Sequence, residues 1–289
     1  MSGWLVTGAA GQLGSDVVDV LHAYGEEVAA FDRAALDVSD HAAVLAAVDW
    51  VQPSIVVNCA AYNKVDDAET HEDAAYDINA RGPANLAHAC ARSGARLVHV
   101  STDYVFAGTA EEPYDEKAKT VPRSAYGRTK LAGEQAVLAS GAEGFVVRTA
   151  WLYGAAGNNF VKTMARLSRE RETVDVVDDQ IGAPTWTLHL ARALIGLGIA
   201  DVAPGIWHCT NAGEASWYVF ARAVFAELGL DPARVQPTTS EQFARPAPRP
   251  SYSVLSTAKW QRAGLPELPH WRDALQEAFE TTGEEFAES

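Results

Sequence analysis

Two side chains in the segment SAYGRTK have the types and the spacing that proton transfer requires. Tyr126 and Lys130 are four residues apart, so on a helix they lie on the same face, about one turn from each other. A cation within about 4–6 Å of a phenol favours the phenolate and lowers the pKa of the tyrosine by about one to three units. The pair therefore predicts a tyrosine that hands a proton to a carbonyl oxygen near neutral pH.

A hydroxyl at the end of a predicted strand supplies a third group for the same chemistry. The strand RLVHVST ends at Thr102, and ligands of doubly wound sheets bind at the carboxyl ends of the strands. Thr102 is therefore predicted to offer its hydroxyl to the oxygen that Tyr126 protonates, so that both stabilise the negative charge formed as hydride reaches the carbon. Lys130 is predicted to hydrogen-bond a nicotinamide ribose. Thr102, Tyr126 and Lys130 form the predicted catalytic set.

The segment TGAAGQLG indicates where the hydride donor binds. It places Gly8, Gly11 and Gly14 between an apolar strand and a helix, and glycine there permits a tight turn and close approach of the backbone to a pyrophosphate at the helix N-terminus. Asp32, at the end of the second strand, can accept hydrogen bonds from both ribose hydroxyls. Arg33 follows it and can contact a 2′-phosphate instead. These residues leave NADH and NADPH both open as cofactor.

Alternating elements in the first half of the chain must position these groups. Apolar strand patterns alternate with helical periodicity up to residue 153, which predicts βαβ units and a parallel sheet covered on both faces. We therefore predict a doubly wound α/β fold, an NAD(P)-binding Rossmann domain over 1–153. Residues 154–289 are predicted to form mainly a smaller α+β lobe that binds the substrate, with part of it returning to the sheet. The terminal TTGEEFAES is predicted to be a solvated acidic tail.

The composition excludes several other classes of function. The chain has 289 residues and a formal net charge of −15, so long-range repulsion opposes binding to nucleic acid and to anionic membranes. Cys59, Cys90 and Cys209 are too few and too scattered for a disulfide framework or a CxxC metal site, and are predicted to be buried thiols. The chain shows no leader and no apolar run of membrane-spanning length, which predicts a cytoplasmic protein.

The chain resembles the extended short-chain dehydrogenases/reductases over almost its whole length. Within that group it resembles the dTDP-4-dehydrorhamnose reductases. The segments that carry the resemblance occur in the family's usual order: TGAAGQLG, LDVSD, VVNCAAYNKVDDAE, STDYVFAG, YGRTK, RTAWLYG, NNFVKTM, DQIGAPTW and RPSYSVLSTAK. The resemblance implies an enzyme that uses NADPH or NADH to reduce the 4-keto group of a dTDP-6-deoxysugar, giving dTDP-L-rhamnose.

The resemblance also assigns roles to residues that spacing alone does not. It implies that the pyrophosphate is lined by Gly11, Gln12 and Leu13, the adenine by Asp37 and Val38, and the strand end beside the cofactor by Ala60, Ala61 and Tyr62. Thr102, Asp103 and Trp151 are implied to contact the nucleotide sugar. Further candidates for the diphosphate and the thymidine are Asn158, Asn159, Lys162 and Arg249.

One departure from the family concerns metal and oligomeric state. Some members dimerise through Mg2+ held by acidic side chains, and Asp16 falls at one of these places. Leu188 stands where another carboxylate is usual, and an aliphatic side chain cannot ligate Mg2+. We therefore predict no bound metal, and a monomer or weak homodimer.

Two alternatives remain open at this stage. One is another enzyme on the same scaffold, either an epimerase or dehydratase or a reductase of a different nucleotide 4-keto sugar. The other is a regulatory subunit that binds the dinucleotide without turnover, as regulatory subunits of methionine adenosyltransferase resemble this family. The joint presence of Thr102, Tyr126 and Lys130 favours catalysis.

Overall fold

Short apolar strands make up the centre of the molecule, as burial on both faces requires. The computed structural model describes residues 3–287. Its strands are β1 (Trp4–Thr7), β2 (Val28–Phe31), β3 (Ile55–Asn58), β4 (Arg96–Thr102), β5 (Gly144–Thr149), β6 (Leu152–Tyr153), β7 (Val174–Val177), β8 (Ile181–Gly182), β9 (Thr185–Trp186), β10 (Gly205–His208), β11 (Ala215–Ser216) and β12 (Val235–Thr238).

The helices surround these strands. They are α1 (Gln12–Ala23), α2 (His41–Val51), α3 (Val65–Ala68), α4 (Glu72–Tyr76), α5 (Gly82–Ser93), α6 (Ala125–Ala139), α7 (Phe160–Glu170), α8 (Thr187–Ile199), α9 (Trp217–Glu227), α10 (Ala258–Arg262) and α11 (Trp271–Ala287). A π-helical segment spans Asp77–Arg81, and 3₁₀ turns span Asp103–Val105 and Pro232–Arg234.

The main sheet has six parallel strands in the order β2-β1-β3-β4-β5-β10. The strand order changes direction between β1 and β3, and this switch point is where open α/β sheets bind ligands. The predicted doubly wound fold is therefore confirmed. The strand β10 comes from the second half of the chain and extends the sheet beside β5. The division into two domains at residue 153 stays a prediction.

Buried polar side chains join the carboxyl ends of the central strands. The Thr7 hydroxyl donates to Asn58 Oδ1 at 2.8 Å, and the Asn58 amide donates to His99 Nδ1 at 3.0 Å. These residues are aligned across β1, β3 and β4 and are almost fully buried. These two hydrogen bonds hold the three strand ends in a common register.

Two predicted elements are interrupted. The predicted helix over AAYDINARGPANLAHACARSG divides into α4, the π-helical segment and α5. In the π-helical segment the Asn79 side chain leaves the helix to pair with both backbone groups of Tyr62, at 2.8 and 3.1 Å. The predicted strand GFVVRTAWLYG ends at Thr149, because Trp151 adopts a left-handed φ of 49° that no strand accommodates.

The smaller lobe has a core of its own, built mainly from α7, α9 and α11. The expected solvated tail is wrong as far as residue 287, since α11 continues through it and Phe286 is fully buried against Phe279. Cys90 and Cys209 are buried thiols as predicted, whereas Cys59 is only partly buried. No helix among the described residues has the length and apolar character needed to cross a membrane.

Candidate active site

A cleft of about 690 Å³ lies at the carboxyl ends of β1, β3, β4 and β5. It brings together every residue predicted to bind the cofactor and most of those predicted to bind the substrate. Its lining includes Gly8, Gly11, Gln12, Leu13, Gly14, Asp32, Arg33, Asp37, Val38, Ala60, Ala61, Tyr62, Thr102, Asp103, Tyr126, Lys130, Trp151 and Asn158. Residues from seven separate parts of the chain thus share one concave surface, as ligand sites of such folds do.

The glycine loop between β1 and α1 is packed so closely that side chains would not fit. Gly8 has a φ of +70°, and a Cβ there would lie 2.6 Å from the Ala60 nitrogen. A Cβ on Gly14 would lie 2.1 Å from the Gly8 carbonyl oxygen. Gly11 precedes α1 without a side-chain cap, so the first N–H groups of the helix face the cleft unpaired by any capping side chain. This geometry suits a phosphate group.

Two carboxylates, Asp32 and Asp37, lie at the opposite end of the cleft, near β2. Oδ1 of Asp32 accepts hydrogen bonds from the N–H groups of Ala34 and Ala35 at 2.9 and 2.8 Å, which fixes the turn after the strand. Hydrogen bonds from the Ser39 hydroxyl and N–H lower the pKa of Asp37. Asp32 and Asp37 thus stabilise loops that line the cleft.

Tyr126 lies in the middle of the cleft, in the first turn of α6. The helix begins there because the Ser124 side chain caps the N–H of Gly127 at 3.1 Å. Burial raises the pKa of Tyr126 to about 12; a hydrogen bond with Thr102 lowers it and the Asp103 carboxyl raises it. The expected lowering by Lys130 is wrong for this structure, because desolvation of the phenolate dominates. Tyr126 is therefore a protonated phenol throughout the neutral range.

Lys130 is directed at the backbone of β4 and not at the phenol. Its Nζ donates to the carbonyl oxygen of Val100 at 2.6 Å, and the residue is only 2% exposed. Burial lowers the pKa of Lys130 to about 8, although Glu134 and Cys59 oppose the change. Of the Tyr126–Lys130 pair, the lysine is thus the group whose pKa lies closer to neutral pH, whereas the sequence pattern indicated the tyrosine.

Thr102 ends β4 beside Tyr126, and Asp103 begins the 3₁₀ turn that follows. The Thr102 hydroxyl donates to Asp103 Oδ1 at 2.9 Å and accepts from the Tyr104 N–H at 3.2 Å. Burial raises the pKa of Asp103 to about 6, against the hydrogen bond from Thr102. The hydroxyl predicted to contact the substrate is therefore oriented by a carboxyl group next to it in the chain.

Trp151 forms the far wall of the cleft together with a residue that the sequence patterns did not indicate. The indoles of Trp151 and Trp217 stack at a centroid distance of 3.5 Å and an interplanar angle of 5°. Gly182 borders this stack, where a Cβ would lie 2.4 Å from the Trp151 ring. Trp217 begins α9, and nothing in its local sequence distinguishes it from the other tryptophans. Only the tertiary structure brings it to the cleft.

Three predicted substrate residues lie outside the lining of the cleft. Asn159 caps α7 by accepting from the N–H of Lys162 at 3.0 Å, and its amide donates to the Gly154 carbonyl at 2.7 Å. Arg249 pairs with Asp66 at 3.0 Å. Substrate contacts by Asn159, Lys162 and Arg249 remain predictions.

The parallel sheet, the close-packed glycine loop and the Tyr126–Lys130 pair at the strand ends define a Rossmann-type oxidoreductase fold, shared with NAD(P)-binding reductases and epimerases. A family model described as RmlD substrate binding domain matches residues 2–283. The chain belongs to this family, that of the dTDP-4-dehydrorhamnose reductases.

Individual relatives agree over nearly the full length. A dTDP-4-dehydrorhamnose reductase from Streptomyces griseus is 52% identical over 281 residues, covering 96% of this chain and 92% of the relative. A dTDP-4-keto-6-deoxy-D-glucose reductase from Streptomyces niveus is 51% identical over 277 residues, 96% of each chain. The crystal structure of the Bacillus anthracis dTDP-4-dehydrorhamnose reductase in complex with NADP is 41% identical, with a TM-score of 0.94 over 98% of this chain and 100% of that one.

Proposed function

We propose that this protein reduces the 4-keto group of dTDP-4-dehydro-L-rhamnose to dTDP-L-rhamnose, using NADPH or NADH and Tyr126 as the proton donor. The observation that carries the proposal is the meeting of Thr102, Tyr126 and Lys130 in one cleft with the glycine loop. The name of the Streptomyces griseus relative supports the same reaction.

The residues of the cleft fit a dinucleotide. The unpaired N–H groups at the start of α1 and the lack of space at Gly8 and Gly14 suit a pyrophosphate held by backbone atoms. The complex of the Bacillus anthracis relative with NADP supports this use of the loop. Asp32 and Arg33 would contact the adenosine ribose, and Lys130 the nicotinamide ribose. When bound, the reduced nicotinamide supplies a hydride to the carbonyl carbon.

The protonation state of Tyr126 identifies it as the proton donor. Because the pKa of the phenol is about 12, the group remains protonated at neutral pH and serves as a donor to the oxygen of the keto group. Thr102 lies within hydrogen-bond reach of the phenol and would share the developing negative charge by turning its hydroxyl from Asp103 to that oxygen. The product is the alcohol, with one hydride on carbon and one proton on oxygen.

The wall of the cleft formed by Trp151 and Trp217 would receive the nucleotide sugar. Flat indole faces pack well against a sugar face or a pyrimidine ring. Asp103 would add a polar contact from the 3₁₀ turn that follows β4. The 51% identity to a dTDP-4-keto-6-deoxy-D-glucose reductase makes that second 4-keto sugar the alternative substrate to test.

The test is a reaction with defined substrates. Purified protein is mixed with dTDP-4-dehydro-L-rhamnose or with dTDP-4-keto-6-deoxy-D-glucose, loss of reduced-cofactor absorbance is followed, and the product sugar is identified by NMR. We expect stoichiometric oxidation with the first substrate and dTDP-L-rhamnose as product. Preference for the second substrate would replace the proposed sugar. Sugar conversion without net oxidation would indicate an epimerase, and binding of the dinucleotide without turnover would indicate a regulatory subunit.

Replacing Asp32 tests the ribose contact. Asp32→Ala is expected to raise the KM for NADH at least about tenfold while kcat changes less than about threefold, since the residue contacts the adenosine end of the cofactor and not the reacting atoms. Asp32→Asn is the matched control, because its amide oxygen still accepts from Ala34 and Ala35 and keeps the turn intact. Steady-state kinetics with each cofactor measure both constants. An equal loss in kcat would refute the assignment.

A further inference from the structure

Three consecutive residues of β4 hold one face of α6. Val100 accepts a hydrogen bond from Lys130, the Ser101 hydroxyl donates to Glu134 Oε1 at 2.5 Å, and Thr102 reaches Tyr126. Glu134 follows Lys130 by four residues, so the two side chains are neighbours on the helix. These contacts thus hold β4 and α6 together at Lys130 and Tyr126, the two α6 residues of the proposed reaction.

Glu134 belongs to a buried ion pair directly behind the cleft. Arg148 on β5 donates to its two oxygens, from Nε at 2.9 Å and from Nη2 at 2.6 Å. Both side chains are at most 2% exposed. A bidentate pair with a third bond from Ser101 fixes the carboxylate in place. Burying the two charges costs desolvation free energy, which their mutual attraction only partly offsets.

Two described residues, Glu134 and Cys59, act on the pKa of Lys130, and only Glu134 carries a charge. Burial raises the pKa of the Cys59 thiol to about 12, so Cys59 is neutral at physiological pH. Burial keeps the pKa of His99 well below its usual range, so this imidazole is neutral too. Tyr126 is a protonated phenol. Glu134 therefore supplies the negative charge that offsets the burial of the ammonium.

We propose that Glu134 is a positioning residue that acts through Lys130: its carboxylate, fixed by Arg148 and Ser101 one helical turn from Lys130, keeps the buried ammonium charged and hydrogen-bonded to Val100 beside the cleft. The inference rests on the proposed function for its catalytic meaning, since the charged Lys130 would hold the nicotinamide ribose. The effect of Glu134 on the charge of Lys130 does not depend on that function. Removal of the negative charge leaves the ammonium with a backbone carbonyl as partner, which favours the neutral amine at working pH.

The experiment measures the titration of Lys130 itself. The chain has six lysines, so their ¹³Cε signals are resolvable by NMR, and Lys130→Arg assigns the signal by its loss. In Glu134→Gln we expect the midpoint of Lys130 to fall by about one pH unit or more, because an adjacent charge has been removed while the shape is kept. The alkaline limb of the pH profile of kcat should move in parallel. A midpoint within about 0.3 unit of the unsubstituted protein would overturn the proposal.

A matched control and a second variant separate electrostatics from folding. Glu72→Gln removes an exposed carboxylate that pairs in the same bidentate way with Arg128 of α6, and should leave the Lys130 midpoint unchanged. If Glu134→Gln fails to fold, Glu134→Gln/Arg148→Met replaces the buried pair by neutral groups, which proteins tolerate well. The double variant should show a downward shift smaller than that of Glu134→Gln, because the Arg148 cation leaves together with the carboxylate of the neighbouring residue. A midpoint equal to or above that of the unsubstituted protein would refute the proposal. The NMR titration decides even if the protein reduces no keto sugar, so failure of the two proposals is distinguishable.

Discussion

Tyr126→Phe is expected to reduce kcat for keto-sugar reduction by about 10²–10⁴-fold, because the phenol is the proton donor and phenylalanine has no proton to give. The affinity for the dinucleotide should change less than about threefold, since the ring that packs beside Tyr62 and Ala125 is kept. Turnover with saturating cofactor and the Kd from cofactor fluorescence measure the two quantities. Loss of binding together with turnover would assign the phenol to the cofactor site instead of the chemistry.

The matched control for this substitution is Tyr104→Phe. Tyr104 lines the same cleft and packs edge-on against Tyr126 at a centroid distance of 5.5 Å. Burial raises the pKa of its phenol as well, so it is also a protonated hydroxyl. We expect Tyr104→Phe to retain kcat within about threefold, since Thr102 receives the backbone N–H of Tyr104, which the substitution keeps, and not its phenol. Equal damage by both substitutions would mean that the loss reflects packing of the cleft and not proton donation.

Gly14→Ala is expected to weaken dinucleotide binding by more than about 100-fold. The added methyl group would lie 2.1 Å from the carbonyl oxygen of Gly8, and backbone on both sides leaves no flexible atom to move. The loop must open to relieve the overlap, at a cost in folding free energy of about 1–3 kcal/mol, and its N–H groups then no longer converge on a phosphate. Isothermal titration with NADPH and NADH and a thermal melt measure the two effects.

Gly196→Ala provides the comparison within a helix. Gly196 lies in α8, where a Cβ would have no atom within 4 Å. Alanine at an unstrained helical position stabilises by about 0.5–1 kcal/mol relative to glycine. The variant should therefore bind the dinucleotide normally and melt at a slightly higher temperature. If Gly14→Ala were as benign as Gly196→Ala, the close packing of the loop would not be what the cofactor site depends on.

The sequence by itself determined the doubly wound sheet and most of the cleft. Strand and helix periodicity is local, and the carboxyl ends of parallel strands must meet at one edge, so Thr102 and the glycine loop could be placed together before any coordinates. The same argument placed Tyr126 and Lys130 on one face of α6. All of these residues line the cleft.

The tertiary structure alone decided the protonation of these groups and the far wall of the cleft. Spacing predicted a lowered pKa for Tyr126, but burial raises it and lowers that of Lys130 instead, and desolvation depends on what packs around a side chain, not on its neighbours in the chain. Trp217 and Arg148 reach their positions through long-range packing, with no local pattern to mark them. Which of these side chains is charged depends on the burial that the whole fold imposes. Which helix or strand carries the side chain depends on the pattern of a few adjacent residues.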